Sequence, residues 1–212
     1  TCINLAASLA AMKQRVLLVD LDPQGNATTG SGIDKYDVPR TIYDVLVHRA
    51  PVNLVTCPVA EGGFDVLPAN GDLTAAEVEL IEVAHRERRL REALAEVSGD
   101  YDYILIDCPP ALGLLTVNAL AVSHSVLVPL QCEFYALEGL SQLLKTVEMA
   151  KGSINPSLVI EGVMLTMYDV RNRLSGQVAS DVRKHLGRAV FKNMIPRNVR
   201  VAEAPSFGKP VM

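Results

Sequence analysis

Two carboxylates stand one residue apart at the end of an apolar run near the start of the chain. The stretch that carries them reads RVLLVDLDPQGNATT, and it places Asp20 and Asp22 directly before Pro23 and Gly25. Side chains two residues apart on a strand point the same way, and the residue before a proline favours extended backbone. We therefore expect both carboxylates to face one site, followed by a tight turn that exposes backbone amides.

A third carboxylate ends another apolar run. The segment YDYILID closes on Asp107 and is followed by Cys108, Pro109 and Pro110. In an open parallel sheet, ligands bind beyond the carboxyl ends of the strands. Carboxylate oxygens there suit Mg²⁺, which keeps several waters and bridges to substrate phosphates. The pattern predicts a phosphate and metal site; the alternative is that Asp107 only caps the following turn.

Predicted strands and helices alternate along the chain and must hold these side chains in place. This alternation is typical of an α/β fold with a mostly parallel sheet. Predicted strands cover 15–20, 64–68, 102–107, 125–130, 158–166 and 190–195. Predicted helices cover 2–12, 41–48, 74–97, 112–122, 136–151 and 175–187. Thr74 and Glu77 form a capping-box pattern at the start of one of these helices. The sequence predicts a single doubly wound domain over 1–212, with helices flanking the sheet.

Composition and charge narrow the class of protein. The 212 residues are 49% hydrophobic, which is enough for a sizeable core, and no apolar run reaches the length of a spanning helix. The four cysteines show no metal-ligand spacing, which indicates reduced thiols in a cytosol. The net charge is −4, yet 171–209 holds nine basic and two acidic residues. That segment can attract a polyanion, or it can be an ordinary solvated helix face.

The carboxylates need a glycine-rich loop with a lysine to hold phosphates, and the sequence contains no GxxxxGK[ST] or GxGxxG motif. The chain begins inside a helical pattern, TCINLAASLAAM, and it stops shortly after PSFGKP. A doubly wound domain normally starts with a central strand. We expect that strand, the phosphate loop and a C-terminal helix to lie outside these residues.

Six blocks of sequence, in order, resemble the ParA/Soj chromosome- and plasmid-partitioning ATPases. They read TCINLAASLA, RVLLVDLDPQGNATTG, YDYILIDCPPALGLLTVNAL, VPLQCEFYALEGL, LTMYDVRNRLSGQV and IPRNVRVAEAPSFGKP. The resemblance implies a P-loop NTPase of the MinD superfamily, with a deviant Walker A loop of the KGGVGKTT type immediately before Thr1. It also implies that ATP and Mg²⁺ are the cofactors, and that these 212 residues alone bind ATP poorly.

The resemblance implies a role for each carboxylate. Asp22 matches the family's catalytic acid, which positions the hydrolytic water, and Asp20 is its partner on the same strand. Asp107 matches the Walker B aspartate beside Mg²⁺. Pro109 and Pro110 match the switch segment that senses the γ-phosphate.

The resemblance also implies a nucleotide-base site and a DNA-binding site. The residues beside the adenine are Met167, Pro196, Arg197 and Asn198. Glu133 and Tyr135 match a block near the nucleotide and the dimer surface. Arg171 and Arg200 match positions for sequence-independent DNA binding, and both fall in the basic segment.

The partners implied by the resemblance are a second copy of the chain on ATP binding, non-specific DNA and a ParB-type centromere-binding protein, with no membrane. The implied location is the bacterial cytoplasm, on the nucleoid. One alternative is a MinD-like membrane-surface ATPase, which would need a C-terminal amphipathic helix. Another is a metabolic amide ligase or synthetase, which would need a substrate pocket. The PRNVRVAEAPSFGKP block, Arg171 and Arg200 favour the DNA-binding function.

Overall fold

A computed structural model describes residues 1–211 of the chain. It divides the chain into two compact units, one formed by Thr1–Val122 with the segment from Arg200 onward, and one formed by Ser123–Val199. Met212 lies outside the described residues. The single domain expected over 1–212 therefore stays a prediction, and each unit is described by itself.

The helices follow the predicted order with several shorter additions. They are α1 (Cys2–Ala11), α2 (Asn26–Gly30), α3 (Ile42–His48), α4 (Leu73–Glu79), α5 (Arg89–Ala95), α6 (Leu114–Val122), α7 (Ala136–Ser153), α8 (Arg173–Leu186) and α9 (Val199–Glu203). Short 3-10 helices cover Val52–Leu54, Arg86–Arg88, Gly187–Ala189 and Ala204–Phe207. Over residues 1–211, none of these helices has both the length and the apolar character that crossing a membrane requires.

The first unit is built on a four-stranded sheet. Its strands are β1 (Val16–Asp20), β2 (Cys57–Val59), β3 (Phe64–Leu67) and β4 (Tyr103–Asp107), in the order β2-β3-β1-β4. β3, β1 and β4 run parallel, and β2 pairs antiparallel with β3. Strand β2 was not predicted from the sequence, because a three-residue strand that contains proline carries little strand signal.

Both faces of β1 are covered, which explains its continuous apolar sequence. Leu17 and Val19 pack in a cluster with buried residues of α3, α4, α5 and α6. Val16 and Leu18 pack on the opposite face, with buried residues of α1 and α2. Side chains alternate between the two faces of a strand, so a single strand supplies both clusters. The predicted α/β fold, a mostly parallel sheet flanked by helices, is confirmed.

The predicted helix over 74–97 was wrong. The structure has α4, then a turn in which His85 adopts a left-handed conformation with φ 57°, then α5. Asn118 holds the second segment, since its side chain accepts from the Leu90 amide and donates to the Arg86 carbonyl. A straight helix over 24 residues would extend about 36 Å. The break lets both α4 and α5 bury their leucines in one cluster.

The predicted capping box at Thr74 and Glu77 was also wrong. Helix α4 begins at Leu73, so Thr74 already lies inside it, and the N-cap Asp72 makes no side-chain capping bond. A capping box is present instead at α3, where Thr41 is the N-cap and the Asp44 carboxylate accepts from the Thr41 amide at 2.9 Å.

The second unit contains two parallel strands, β5 (Ser125–Gln131) and β6 (Val159–Thr166). Apolar side chains of these strands form a cluster with α7 and α8, which includes Val128, Leu165 and Val182. The strand predicted at 190–195 was wrong. In the described residues this segment makes isolated bridges, from Val190 to β6 and from Pro196 to Tyr168, and no continuous strand.

Candidate functional site

The carboxyl ends of β1 and β4 bring three predicted carboxylates into one neighbourhood. Asp20 and Asp107 are register partners in the last position of their strands. The Leu21 amide then donates to the Asp107 carbonyl at 2.8 Å, which keeps the chain beside β4 as far as Leu21, one residue before Asp22. The parallel register thus places these acids at one edge of the sheet, where ligands bind in such folds.

Asp20 is fully buried and its carboxylate is saturated with hydrogen bonds. It accepts from the amide and the hydroxyl of Thr28, both at 2.7 Å, and from the Asp22 amide at 3.2 Å. Burial raises the pKa of Asp20, while the bonds from Thr28 and Asp22 oppose that rise. The structure therefore places Asp20 beneath the turn that follows β1, with its oxygens committed to that turn.

Thr28 extends this buried network to a third strand end. Its hydroxyl accepts from the Ala69 amide at 2.9 Å, and Ala69 lies just after β3. Thr28 and Ala69 were not predicted from the sequence. Their contacts join residues 8 and 41 positions apart, so no local pattern could indicate them.

Asp22 is half-buried and organises a tight turn. Its Oδ1 accepts from the Gln24 amide at 2.9 Å, and its carbonyl accepts from the Gly25 amide at 2.8 Å. The predicted turn is present, but these two amides bond to Asp22 instead of standing open. Within the described residues, Oδ2 of Asp22 has no protein donor, so this oxygen can accept from a water molecule.

The Asp107 carboxylate receives a hydrogen bond from a thiol. Cys2 Sγ donates to its Oδ1 at 3.2 Å. Burial and the neighbouring Asp107 charge raise the pKa of Cys2, so the thiol keeps its proton and remains a donor. In residues 1–211, no group of three or more His, Cys, Asp or Glu side chains could enclose a metal. A single carboxylate at a strand end suits Mg²⁺, which takes its other ligands from water and phosphate.

The segment after Asp107 closes on a neighbouring helix. Pro109 is half-buried and Pro110 is exposed. A Cβ placed on Gly113 would contact the carboxylate of Glu77 on α4, so the two segments approach closely here. The Thr116 hydroxyl donates to the Ala111 carbonyl at 2.7 Å, which ties the segment to the start of α6.

In the second unit, part of the predicted base-binding set lines a cavity of about 200 Å³. Its lining residues are Cys132, Glu133, Met167, Asp169, Asn172, Leu174, Ser175 and Arg197. Met167 has a left-handed backbone with φ 53°. The Arg197 amide donates to the Tyr168 carbonyl at 2.9 Å, and its guanidinium lies 3.5 Å from the Glu133 carboxylate. Pro196 bridges to Tyr168, and Asn198 is exposed.

The two predicted DNA-binding arginines have different surroundings. Arg171 is exposed, and two of its guanidinium nitrogens donate to the two carboxylate oxygens of Asp169, at 3.0 and 2.9 Å. The hydrogen bonds from Arg171 lower the pKa of Asp169 to about 2, so Asp169 stays ionised at neutral pH. Arg200 lies on α9 and is exposed. Tyr135 is also exposed, and its ring meets Phe134 edge to face at 5.1 Å.

Comparison with known proteins identifies relatives along the whole chain. A family model described as an AAA domain matches residues 1–160. The chromosome partitioning protein ParA of Caulobacter vibrioides is 56% identical over 214 residues, which cover all of this chain and 80% of that protein. The sporulation initiation inhibitor protein Soj of Bacillus subtilis is 54% identical over 212 residues, which cover all of this chain and 84% of Soj.

A solved structure has a similar fold. A cobyrinic acid a,c-diamide synthase from Mycobacterium smegmatis, crystallised with an ATP analog and magnesium, is 38% identical, with a TM-score of 0.88. The match covers 98% of this chain and 85% of that one. Because more than half of its residues are identical to those of ParA and Soj over its whole length, this chain belongs to the ParA/Soj family of chromosome-partitioning ATPases.

Proposed function

We propose that the chain is an ATP-dependent switch that partitions DNA. ATP closes two copies into a dimer, the dimer binds DNA without sequence preference, and a ParB-type centromere-binding protein stimulates hydrolysis. The dimer would then sit on the bacterial nucleoid in the cytoplasm. The observation that carries the proposal is that Asp107 ends β4 beside the end of β1, two residues before Asp22, in a chain of this ATPase family.

The three carboxylates have different roles in the proposed hydrolysis. Asp22 orients the attacking water through its open Oδ2, while Asp20 and Thr28 hold the turn that carries it. Asp107 would hold Mg²⁺. When bound, Mg²⁺ neutralises the charge that develops on the phosphates. Positioning and charge stabilisation are most of what phosphoryl transfer requires of a protein, and these groups would supply part of both, beside a phosphate loop with its lysine.

The second unit supplies the candidate contacts to the base. Met167 and Arg197 line the cavity and Pro196 and Asn198 follow the same segment, which supports a nucleotide-base site there. The pair formed by Arg197 and Glu133 would give that site a fixed polar wall. Pro109 and Pro110 would change position with the γ-phosphate, since they directly follow Asp107.

The test of the proposal is DNA binding that depends on both ATP and salt. The assays use the loop-bearing chain, in which an N-terminal strand and a KGGVGKTT-type loop are fused to Thr1, with the 212 residues alone as the control. We expect DNA affinity only with ATP. Raising salt from about 50 to 200 mM should weaken it by about 10³-fold if the dimer neutralises six or more phosphates. Fluorescence anisotropy of a labelled duplex measures both effects.

Other outcomes would favour the alternatives. DNA binding that ignores ATP or salt would contradict the proposal. ATP-dependent sedimentation with anionic vesicles and not with DNA would support the MinD-like alternative. Turnover that requires ammonia and a carboxylic acid acceptor would support an amide synthase, the activity that the name of the Mycobacterium smegmatis protein describes. If a ParB-type protein leaves the hydrolysis rate unchanged, the proposed stimulation is contradicted.

The ion pair of Arg171 provides a second prediction. Asp169 competes with DNA phosphates for this guanidinium, so the Asp169→Asn substitution should strengthen DNA binding. We expect a gain of about 3- to 10-fold at constant salt, with a salt slope steeper by about one phosphate. Binding is measured at saturating ATP, because Asp169 also lines the cavity. The double variant Asp169→Asn, Arg171→Ala must lose the gain; a gain that persists without Arg171 would contradict this explanation.

A further inference from the structure

A lysine outside the predicted site is bonded to the turn that carries Asp22. Lys35 Nζ donates to the Gln24 carbonyl at 2.6 Å, and Gln24 is the second residue after Asp22. Lys35 belongs to the connection between α2 and α3, so this contact joins two segments that are separate in sequence. No role for Lys35 was predicted from the sequence or implied by the family resemblance.

The lysine covers the turn with its stem as well as its charge. A Cβ placed on Gly25 would lie 2.9 Å from Cδ of Lys35, so the aliphatic stem crosses directly over Gly25. The ammonium group then reaches the Gln24 carbonyl and lies 5.4 Å from the centre of the Tyr36 ring. An apolar stem packed on backbone with its charge at the surface is a favourable arrangement for lysine.

The turn is thus held from two sides. On the buried side, Asp20, Thr28 and Ala69 form the network described above. On the solvent side, Lys35 donates a hydrogen bond to the turn from a separate segment, the connection between α2 and α3. An exposed bond of this kind adds little to global stability, because water competes for both partners. Its effect is local, on the conformation of the residues next to Asp22.

We propose that Lys35 is a positioning residue that keeps the turn from Asp22 to Gly25 closed, and so fixes the catalytic carboxylate for its water. This inference rests on the proposed role of Asp22. A displacement of about 1 Å at a reacting group can cost roughly 100-fold in rate. Losing the bond of Lys35 should therefore lower the chemical step while leaving the affinity for ATP nearly intact.

The experiment compares three variants of the loop-bearing chain. Lys35→Met removes the donor and keeps the stem, Lys35→Arg keeps a charged donor, and Arg40→Met is the control. Arg40 is exposed, lies in the same connection and makes no ion pair within the described part of the chain. We expect Lys35→Met to lower kcat by about 10- to 100-fold with KM for ATP changed less than about 2-fold. Lys35→Arg should recover most of the rate, and Arg40→Met should match the unsubstituted chain.

Amide hydrogen exchange of the 212-residue chain gives a readout that needs no turnover. In Lys35→Met, exchange over residues 22–28 should accelerate while β1 stays as protected as before. Unchanged kcat in Lys35→Met, or an equal loss in Arg40→Met, would overturn the inference. If the unsubstituted loop-bearing chain does not hydrolyse ATP, the proposed function fails. The role of Lys35 is then tested by hydrogen exchange alone. Equal exchange over residues 22–28 in Lys35→Met and in the unsubstituted chain would overturn that role.

Discussion

Replacing Asp22 with alanine should abolish ATP turnover in the loop-bearing chain while ATP binding and dimer formation persist. Asp22 has one carboxylate oxygen committed to the Gln24 amide and one open to water, so it can orient the attacking nucleophile. A positioned acid or base typically contributes about 10²- to 10⁴-fold to rate. We expect kcat to fall at least 100-fold, measured as phosphate release at saturating ATP.

The Asp22→Asn variant separates chemistry from structure. Its amide oxygen can still accept from the Gln24 amide, so the turn stays intact. The oxygen that would accept from the water is replaced by an NH2 group, which can only donate. Both Asp22 variants should lose turnover. Asn70→Ala is the control, because the Asn70 side chain makes a similar bond to the Asp72 amide at the end of a neighbouring strand. Near-normal turnover in Asp22→Asn would reduce Asp22 to a structural residue of the turn.

The parts of the fold that the sequence predicted well are those in which local pattern and burial agree. The run VLLVD reads as a strand buried on both faces, and β1 is that strand. The carboxylates at strand ends follow from the same reasoning, since parallel strands deliver their carboxyl ends to one edge. Asp20 and Asp107 are register partners for that reason.

The errors arise where tertiary contacts override the local pattern. The sequence from 74 to 97 has helical character throughout, yet Asn118 on α6 holds the segment in two pieces. The period-two pattern predicted that Asp20 and Asp22 share one orientation. The structure instead buries Asp20 under the turn and leaves Asp22 half-buried, because β1 ends at Asp20 and the Asp20 carboxylate accepts from the Asp22 amide. Thr28 and Lys35 were missed because their partners are 8 and 11 residues away.

Replacing Gly25 with alanine should destabilise the first unit more than an ordinary left-handed glycine substitution does. Gly25 has φ 61°, which costs a residue with a Cβ about 1 kcal/mol or more. A Cβ there would also lie 2.6 Å from the Ala69 carbonyl oxygen, a backbone atom of a fully buried residue that cannot easily move. Overpacking of this kind costs a further 1–3 kcal/mol or so. We expect a loss of about 2–4 kcal/mol in the free energy of unfolding.

Gly63→Ala provides the matched control for this substitution. Gly63 has φ 66°, close to the value at Gly25, but the nearest atom to its added Cβ is the Ala10 Cβ at 3.6 Å. It therefore carries the conformational cost without the clash, and should lose only about 1 kcal/mol. Urea unfolding followed by far-ultraviolet circular dichroism gives both values. Equal losses in the two variants would contradict the tight approach of Gly25 to Ala69. A larger loss in Gly25→Ala would establish that the close approach of Gly25 to Ala69 constrains the turn that carries Asp22.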